Sequence, residues 1–265
     1  MKPKLRQDRI VDILRQRERI SVEALADLLS ASRETIRRDL NDLADRGEVR
    51  KFHGGAMLPE PAGEGDFSSR LSEAPAEKRA IARAAAALFG PGESLLVDAG
   101  TTTLAFAEEL ARRSGLTVVT NCLRIAQVVG QGPGSNRVFV IGGEYRPDVG
   151  ETVGALATAQ IAGFNATHAV LTIGGLVAAG AYDFQIEEAG IARAMVAQAQ
   201  HVTVIADGSK FNRRALFQVC RLEQIDRIVV DRPPDQALAD ALTDASVEVV
   251  VALPAAAPPS RDPTS

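Results

Sequence analysis

The sequence has no tryptophan, three histidines and two cysteines among its 265 residues, and each scarcity removes a class of chemistry. Cys122 and Cys220 are too few for a disulfide framework and too isolated for a zinc site, so both are expected as small, reduced core residues. No histidine has a ligand-like neighbour, and neither a metal nor any other cofactor is expected. No apolar run reaches the ~18 residues that a bilayer-spanning helix needs. The polar N-terminus lacks a signal peptide's apolar core, so the chain is expected in the cytoplasm with no membrane partner.

What remains is an ordinary globular composition, 46% hydrophobic and 24% charged, enough for one large domain or two ordinary ones. The formal net charge of −4 is unevenly spread. Residues 1–56 hold 13 Lys and Arg against 10 Asp and Glu, a net +3, and the remainder hold 17 against 24, a net −7. A polyanion would therefore meet the N-terminal part.

That part reads as three helices and a strand. Ile10, Ile13 and Leu14 share one face of a helix over residues 4–17. Ser21 suits the cap of a second helix, whose Val22, Leu25, Ala26 and Leu29 recur at helical spacing. After a Ser30-Ala31 turn, Ser32 caps a third helix with Ile36, Leu40 and Leu43 inward and Glu34, Arg37, Arg38 and Asn41 outward. Arginine and asparagine match guanine and adenine edges, and arginine also neutralises phosphate. Gly47 ends the helix, and Val49 to Phe52 leads to Gly54-Gly55 as a strand of a two-stranded wing. Arg37, Arg38 and Asn41 are the first candidate DNA contacts, with Arg33, Thr35, Lys51 and His53 supporting.

Thr35-Ile-Arg-Arg-Asp-Leu40 followed by Arg50-Lys-Phe-His-Gly-Gly-Ala56 resembles the winged helix-turn-helix of the DeoR family of bacterial transcriptional regulators. Residues 1–57 are thus expected to bind double-stranded operator DNA.

Residues 58–75, rich in Pro, Gly, Ser and Glu, read as a linker, and 254–265, with four prolines, as a disordered tail. Between them, over 76–253, apolar runs alternate with helical segments. The expected strands are Leu95–Val97, Leu116–Val119, Arg137–Ile141, Ala169–Ile173, Val202–Ala206, Arg227–Val230 and Val247–Val251. The fold class is α/β, a winged helix-turn-helix followed by a larger open α/β domain with a mostly parallel sheet.

Ligands of such sheets bind at the carboxyl ends of strands. There the sequence places Asp98-Ala-Gly-Thr-Thr-Thr103, Asn121 and Asp207-Gly-Ser-Lys210. Gly100 gives the backbone close approach to a phosphate, and Thr101, Thr102 and Thr103 offer hydroxyls at a helix N-terminus. Threonines also cap helices with no ligand present. Lys210 suits an anion or a sugar oxygen, while Asp98, Asn121 and Asp207 suit sugar hydroxyls. Arg146, Asp183 and Glu188 complete the candidate set, and Glu188 has an alternative role as a carboxylate at its helix N-terminus.

This half is also similar to the DeoR-type sensor domain, through Asp98-Ala-Gly-Thr-Thr-Thr, Thr120-Asn121, Gly142-Gly143, Gly154, Glu188-Ala189, Arg193-Ala-Met195 and Asp207-Gly-Ser-Lys-Phe211. Tyr182 to Glu188 is similar to the glycerol-3-phosphate regulators of that family. The resemblance implies a fold like ribose-5-phosphate isomerase. It also implies an effector that is a phosphorylated sugar, sugar acid or polyol, its phosphate at Gly100–Thr103 and its polar end near Lys210. A homodimer or homotetramer reading repeated half-sites is expected, because one winged domain buries limited surface on DNA. The leading function is a DNA-binding repressor of sugar or polyol catabolism genes. The competing one is a sugar-phosphate isomerase or deaminase with a DNA-binding appendage, against which the Asp-Gly-Ala-Asp-Glu stretch typical of ribose-5-phosphate isomerases is missing. A third reading makes the helix-turn-helix a protein-interaction module, distinguished by binding insensitive to salt.

Overall fold

A computed structural model describes residues 3–17, 19–45, 48–52, 54–57 and 65–252. His53, the Arg46-Gly47 helix stop, the first part of the expected linker and the expected tail lie outside the described residues. The chain divides into two compact units, Met1–Ala62 and Gly63–Ser265.

The first unit runs α1 (Pro3–Arg17), β1 (Arg19–Ser21), α2 (Val22–Leu29), α3 (Arg33–Asp45), β2 (Arg50–Phe52) and β3 (Gly55–Met57). The Ser21 hydroxyl accepts from the Ala24 amide at 3.1 Å and starts α2. Ser30, in the left-handed conformation at φ 48°, ends it. The Ser32 hydroxyl accepts from the Thr35 amide at 3.1 Å and starts α3. The apolar stripes of the three helices meet: Ile10, Leu14, Leu25, Ile36, Leu40, Leu43 and Val49 are all buried.

Two features here escape the sequence pattern. The wing is part of a three-stranded sheet in the order β1-β3-β2, because Arg19–Ser21 pairs antiparallel with β3 and adds to the expected hairpin. Gly55 makes the close pairing possible, since a Cβ there would lie 2.3 Å from the Ile20 carbonyl oxygen and 2.6 Å from the Phe52 ring. The second is a buried polar tie between α1 and α3. Arg6 donates to both Asp39 oxygens at 2.5 and 3.2 Å, and the Gln7 amide donates to Asp39 at 3.3 Å and Asp42 at 3.2 Å.

The second unit begins with α4 (Phe67–Ser72), so the second half of the stretch read as linker is helical. Phe67 is buried, with the Arg124 guanidinium 4.8 Å above its ring, which gives this short helix an apolar anchor that periodicity over six residues did not reveal. The elements that follow are α5 (Pro75–Ala86), β4 (Ser94–Val97), α6 (Thr101–Leu110), β5 (Thr117–Thr120), α7 (Leu123–Gln131) and β6 (Arg137–Val140). Then come β7 (Glu144–Arg146), β8 (Glu151–Val153), α8 (Ala155–Ile161), β9 (Ala166–Leu171), β10 (Gly175–Val177), β11 (Gly180–Asp183) and α9 (Ile186–Ala197). The unit closes with β12 (Ala199–Ile205), β13 (Phe217–Cys220), β14 (Arg227–Val230), α10 (Gln236–Asp244) and β15 (Glu248–Val251).

The seven expected strands form one sheet, every neighbouring pair parallel, in the order β15-β14-β12-β9-β4-β5-β6. Alternation along the strands divides the core. Leu95, Val97, Val118, Val170, Ile205 and Val229 pack with α5, α6 and α7. Leu96, Val119, Leu171, Val204, Ile228 and Val230 pack with α8, α9 and α10 on the other face. The chain lays β4, β5 and β6 outward in one direction, then returns to β9 and runs outward in the other. The reversal between β4 and β9 is the switch point, the position at which open α/β sheets bind their ligands. No helix among the described residues is long and apolar enough to cross a membrane.

Candidate functional site

In the first unit, Arg33, Arg37, Arg38 and Asn41 are exposed on α3, and Thr35 is half-buried at its start. The Lys51 ammonium donates to the Asn41 side-chain oxygen at 2.7 Å, drawing the wing onto the helix. Arg37, Asn41, Lys51, Phe52 and Gly54 line one groove between α3 and the wing. Arg38 instead forms an exposed ion pair with Glu34 one helical turn away, at 3.5 Å, and Arg33 reaches Glu23 at 3.8 Å.

In the second unit, the residues expected at the carboxyl edge do converge there. Val97 is opposite Thr120, so Asp98 and Asn121 emerge side by side from adjacent strands. Gly100 follows, pressed against the loop after β9: a Cβ on it would lie 2.3 Å from the Thr172 methyl. Asp98, Thr101, Thr102, Thr103 and Asn121 are buried. The Thr103 hydroxyl donates to the Gly100 carbonyl oxygen at 3.1 Å and so serves the helix start, not the phosphate to which all three hydroxyls were expected to donate.

Two groups of charge flank the Gly100 turn. On one side Asp207, after β12, accepts from the Ser209 amide at 2.9 Å, with Lys210 in the same 3₁₀ turn. Burial alone would raise the Asp207 carboxyl. The Ser209 hydrogen bonds and the charges of Lys210 and Lys78 overcome burial and hold it below the ordinary value. Lys78 was not anticipated. It is buried on α5, donates to the Arg70 carbonyl oxygen at 2.5 Å and lines one cleft with Thr101. Desolvation lowers its affinity for a proton, partly offset by Asp207. Its signal in the sequence was a lysine at i−3 from Ile81, on a stripe otherwise made of Ala and Ile.

On the other side lie Asp98, Glu151, Asp183 and Glu188. Burial, then Glu151, Asp183 and Glu188 by like charge, push the Asp98 carboxyl well above the usual range. Asp183 ends β11 and accepts from the Phe184 amide at 2.7 Å, while the Gly174 amide bonds to the Tyr182 carbonyl oxygen and brings that hairpin to the end of β9. Arg146 reaches Glu187 at 3.4 Å and Glu188 at 3.9 Å. Glu151 also escaped the sequence reading, since β8 is a short strand flanked by glycines with no periodic pattern to flag an inward carboxyl. It is buried and accepts from the Asn121 amide at 3.2 Å.

Desolvation raises the Glu151 carboxyl to about 7, with Arg146 and Asn121 opposing. A raised carboxyl pKa means stability that is complete below the unfolded value and lost as pH climbs through the folded one. Between pH ~4.5 and ~7, at ~1.4 kcal/mol per pH unit, ionising Glu151 costs about 3 kcal/mol. Asp98 adds in the same direction. Thermal melts of the ligand-free protein should therefore fall from pH 5 to pH 8, and Glu151→Gln should flatten that slope. An equal slope in the variant would refute the assignment.

A winged helix-turn-helix followed by an α/β unit, with buried polar and charged side chains gathered at the carboxyl edge of its sheet, has the organisation of a two-part transcriptional regulator. The sequence matches the DeoR-like helix-turn-helix domain over residues 6–62 and the DeoR C terminal sensor domain over residues 73–232. It is 32% identical over 250 residues to the glycerol-3-phosphate regulon repressor of Escherichia coli strain K12, covering 94% of this chain and 99% of that one. It is also 32% identical to the transcriptional repressor GlcR of Bacillus subtilis strain 168, covering 91% and 93%. It is 34% identical to the transcriptional repressor AccR of Agrobacterium fabrum, covering 85% and 88%. Among solved structures, a ribose-5-phosphate isomerase in complex with phospho-erythronic acid aligns with a TM-score of 0.38 and 12% identity, over 51% of this chain and 52% of that one. The chain belongs to the DeoR family, and it is a DNA-binding regulator, not a sugar-phosphate isomerase or deaminase.

Proposed function

We propose that this regulator represses sugar or polyol catabolism genes in the cytoplasm and that a phosphorylated sugar-type effector sets its affinity for the operator. The observation that carries the reading is the edge of the parallel sheet. The start of α6 at Gly100–Thr103 sits at the strand reversal, with two buried lysines, Lys78 and Lys210, gathered around Asp207 nearby. Free amides and helix dipole favour an anion at such a start, and Gly100, with no side chain, lets the loop after β9 close against it. Asp98, Asn121, Arg146, Asp183 and Glu188 take the remainder of the ligand. On the DNA side, Arg37, Arg38 and Asn41 make the principal contacts, with Arg33, Thr35, Lys51 and His53 supporting, and a dimer or tetramer pairs half-sites.

Linkage sets what the effector must do. A ligand that weakens operator binding has to prefer the DNA-incompetent state, and couplings of this kind are ~1–3 kcal/mol. Screening phosphosugars by thermal shift, each positive compound then added to a gel-shift titration, tests the reading. The expected result is saturable stabilisation by at least one phosphorylated compound, no turnover of it, and a shift of ~5-fold or more in operator affinity. Stabilisation without any change in operator affinity would remove the regulatory role of the pocket.

A further inference from the structure

Resting on the reading of this edge as the pocket of a phosphate-bearing effector, we propose that Asn121 and Glu151 form a second subsite, which takes the uncharged, hydroxyl-bearing end of the effector and turns away a carboxylate.

The pair is built and incomplete. Asn121 is fully buried, and its amide nitrogen is committed to Glu151 at 3.2 Å and to the Thr152 carbonyl oxygen at 3.0 Å. Its side-chain oxygen and the second oxygen of Glu151 are buried with no hydrogen-bond partner among the described residues. A buried acceptor left without a donor is costly, and two in contact side chains call for a molecule that brings donors. Their position tells which molecule. The Thr152 amide donates to the Asn121 carbonyl oxygen at 2.8 Å, which lays β8 across the end of β5. Asn121 is next to Asp98, whose carboxyl feels Glu151, Asp183 and Glu188.

A hydroxyl of a polyol or of a neutral sugar donates to each open oxygen and accepts in turn. A carboxylate brings only acceptors. Once Glu151 is ionised, above pH about 7, a carboxylate would leave both oxygens unpaired and set a further negative charge beside it, with Arg146 already shared between Glu187 and Glu188. The anionic end has its own place beside Lys78, Lys210 and the start of α6, so the two lobes together select a molecule charged at one end and neutral at the other.

The test uses the full chain and phosphate-matched pairs of three, four and five carbons: glycerol 3-phosphate with 3-phosphoglycerate, erythritol 4-phosphate with 4-phosphoerythronate, and ribitol 5-phosphate with 5-phosphoribonate, beside inorganic phosphate. Titration calorimetry at pH 8 should show, for the best-fitting length, the polyol phosphate binding at least ~10-fold more tightly than its acid partner. Glu151→Gln should narrow that ratio to within ~3-fold, and a melt of the variant confirms its fold. An acid that binds as tightly as its polyol, or inorganic phosphate that matches both, overturns the subsite. Absence of binding by every phosphate-bearing compound brings down the pocket reading itself and the subsite with it.

Discussion

Arg37→Ala should cost at least about 30-fold in operator affinity, since a paired contact from arginine is worth ~1–3 kcal/mol and recurs in both half-sites of a dimer's operator. Arg37 lines the groove between α3 and the wing together with Asn41 and Lys51, and it is exposed while Ile36 and Leu40 are buried. Its loss leaves the apolar stripe intact, so melting should be unchanged to within ~0.5 kcal/mol. Arg38→Ala should behave differently. Arg38 is held beside Glu34 on the exposed flank, a position suited to the phosphate backbone. Its removal should weaken binding to all sequences alike and lessen the salt dependence by about one phosphate contact. Gel-shift titrations at several salt concentrations, with operator and with unrelated DNA, separate the two. Unchanged operator affinity in Arg37→Ala would overturn the assignment of α3 as the reading helix.

The second large effect concerns stability. Asp39→Ala should destabilise the N-terminal unit by about 2–3 kcal/mol, because it leaves the Arg6 guanidinium and the Gln7 amide without their shared acceptor. The figure is set below that for a fully enclosed ion pair because the Arg6 side chain keeps 12% of its exposure. In a unit of some sixty residues this is a large share of the total, so DNA binding should fail on warming well before the sensor unit melts. The double variant Arg6→Met with Asp39→Leu should recover most of the loss, since replacing both partners by apolar groups leaves no stranded charge. Equal destabilisation by the single and double changes would show that the tie contributes packing rather than charge pairing.

The parallel sheet was legible in the sequence because its strands are buried on both faces and read as unbroken runs such as Ser94-Leu-Leu-Val97 and Arg227-Ile-Val-Val230. The short antiparallel pieces were not. Glu144–Arg146, Gly175–Val177 and Gly180–Asp183 are three or four residues long, too brief to show a period, and β1 sits between two helices where no strand signal is expected. The same division runs through the candidate site. Asp98, Asn121 and Asp207 could be placed because each directly follows a recognisable strand. Lys78 and Glu151 could not, because they come from a flanking helix and a short hairpin, and only tertiary packing turns them inward. Asp39 was passed over for a related reason: it lies between Arg38 and Leu40 in a helix read for its charged outer face, and its partners are 33 and 32 residues away in sequence.

The reversal of strand order between β4 and β9 has a kinetic consequence. The polar cluster at the sheet edge draws on Lys78, Asp98, Asn121, Glu151, Asp183 and Asp207, spread over most of the second unit, and its two halves meet only when β9, later in the chain, docks beside β4. Pairings of such long sequence separation carry loop-closure entropy before they return any contact energy, so the unit is expected to fold more slowly than the helix-turn-helix and to complete this cluster late. Growing from the ribosome, the chain presents its whole helix-turn-helix well before β9 emerges to dock beside β4.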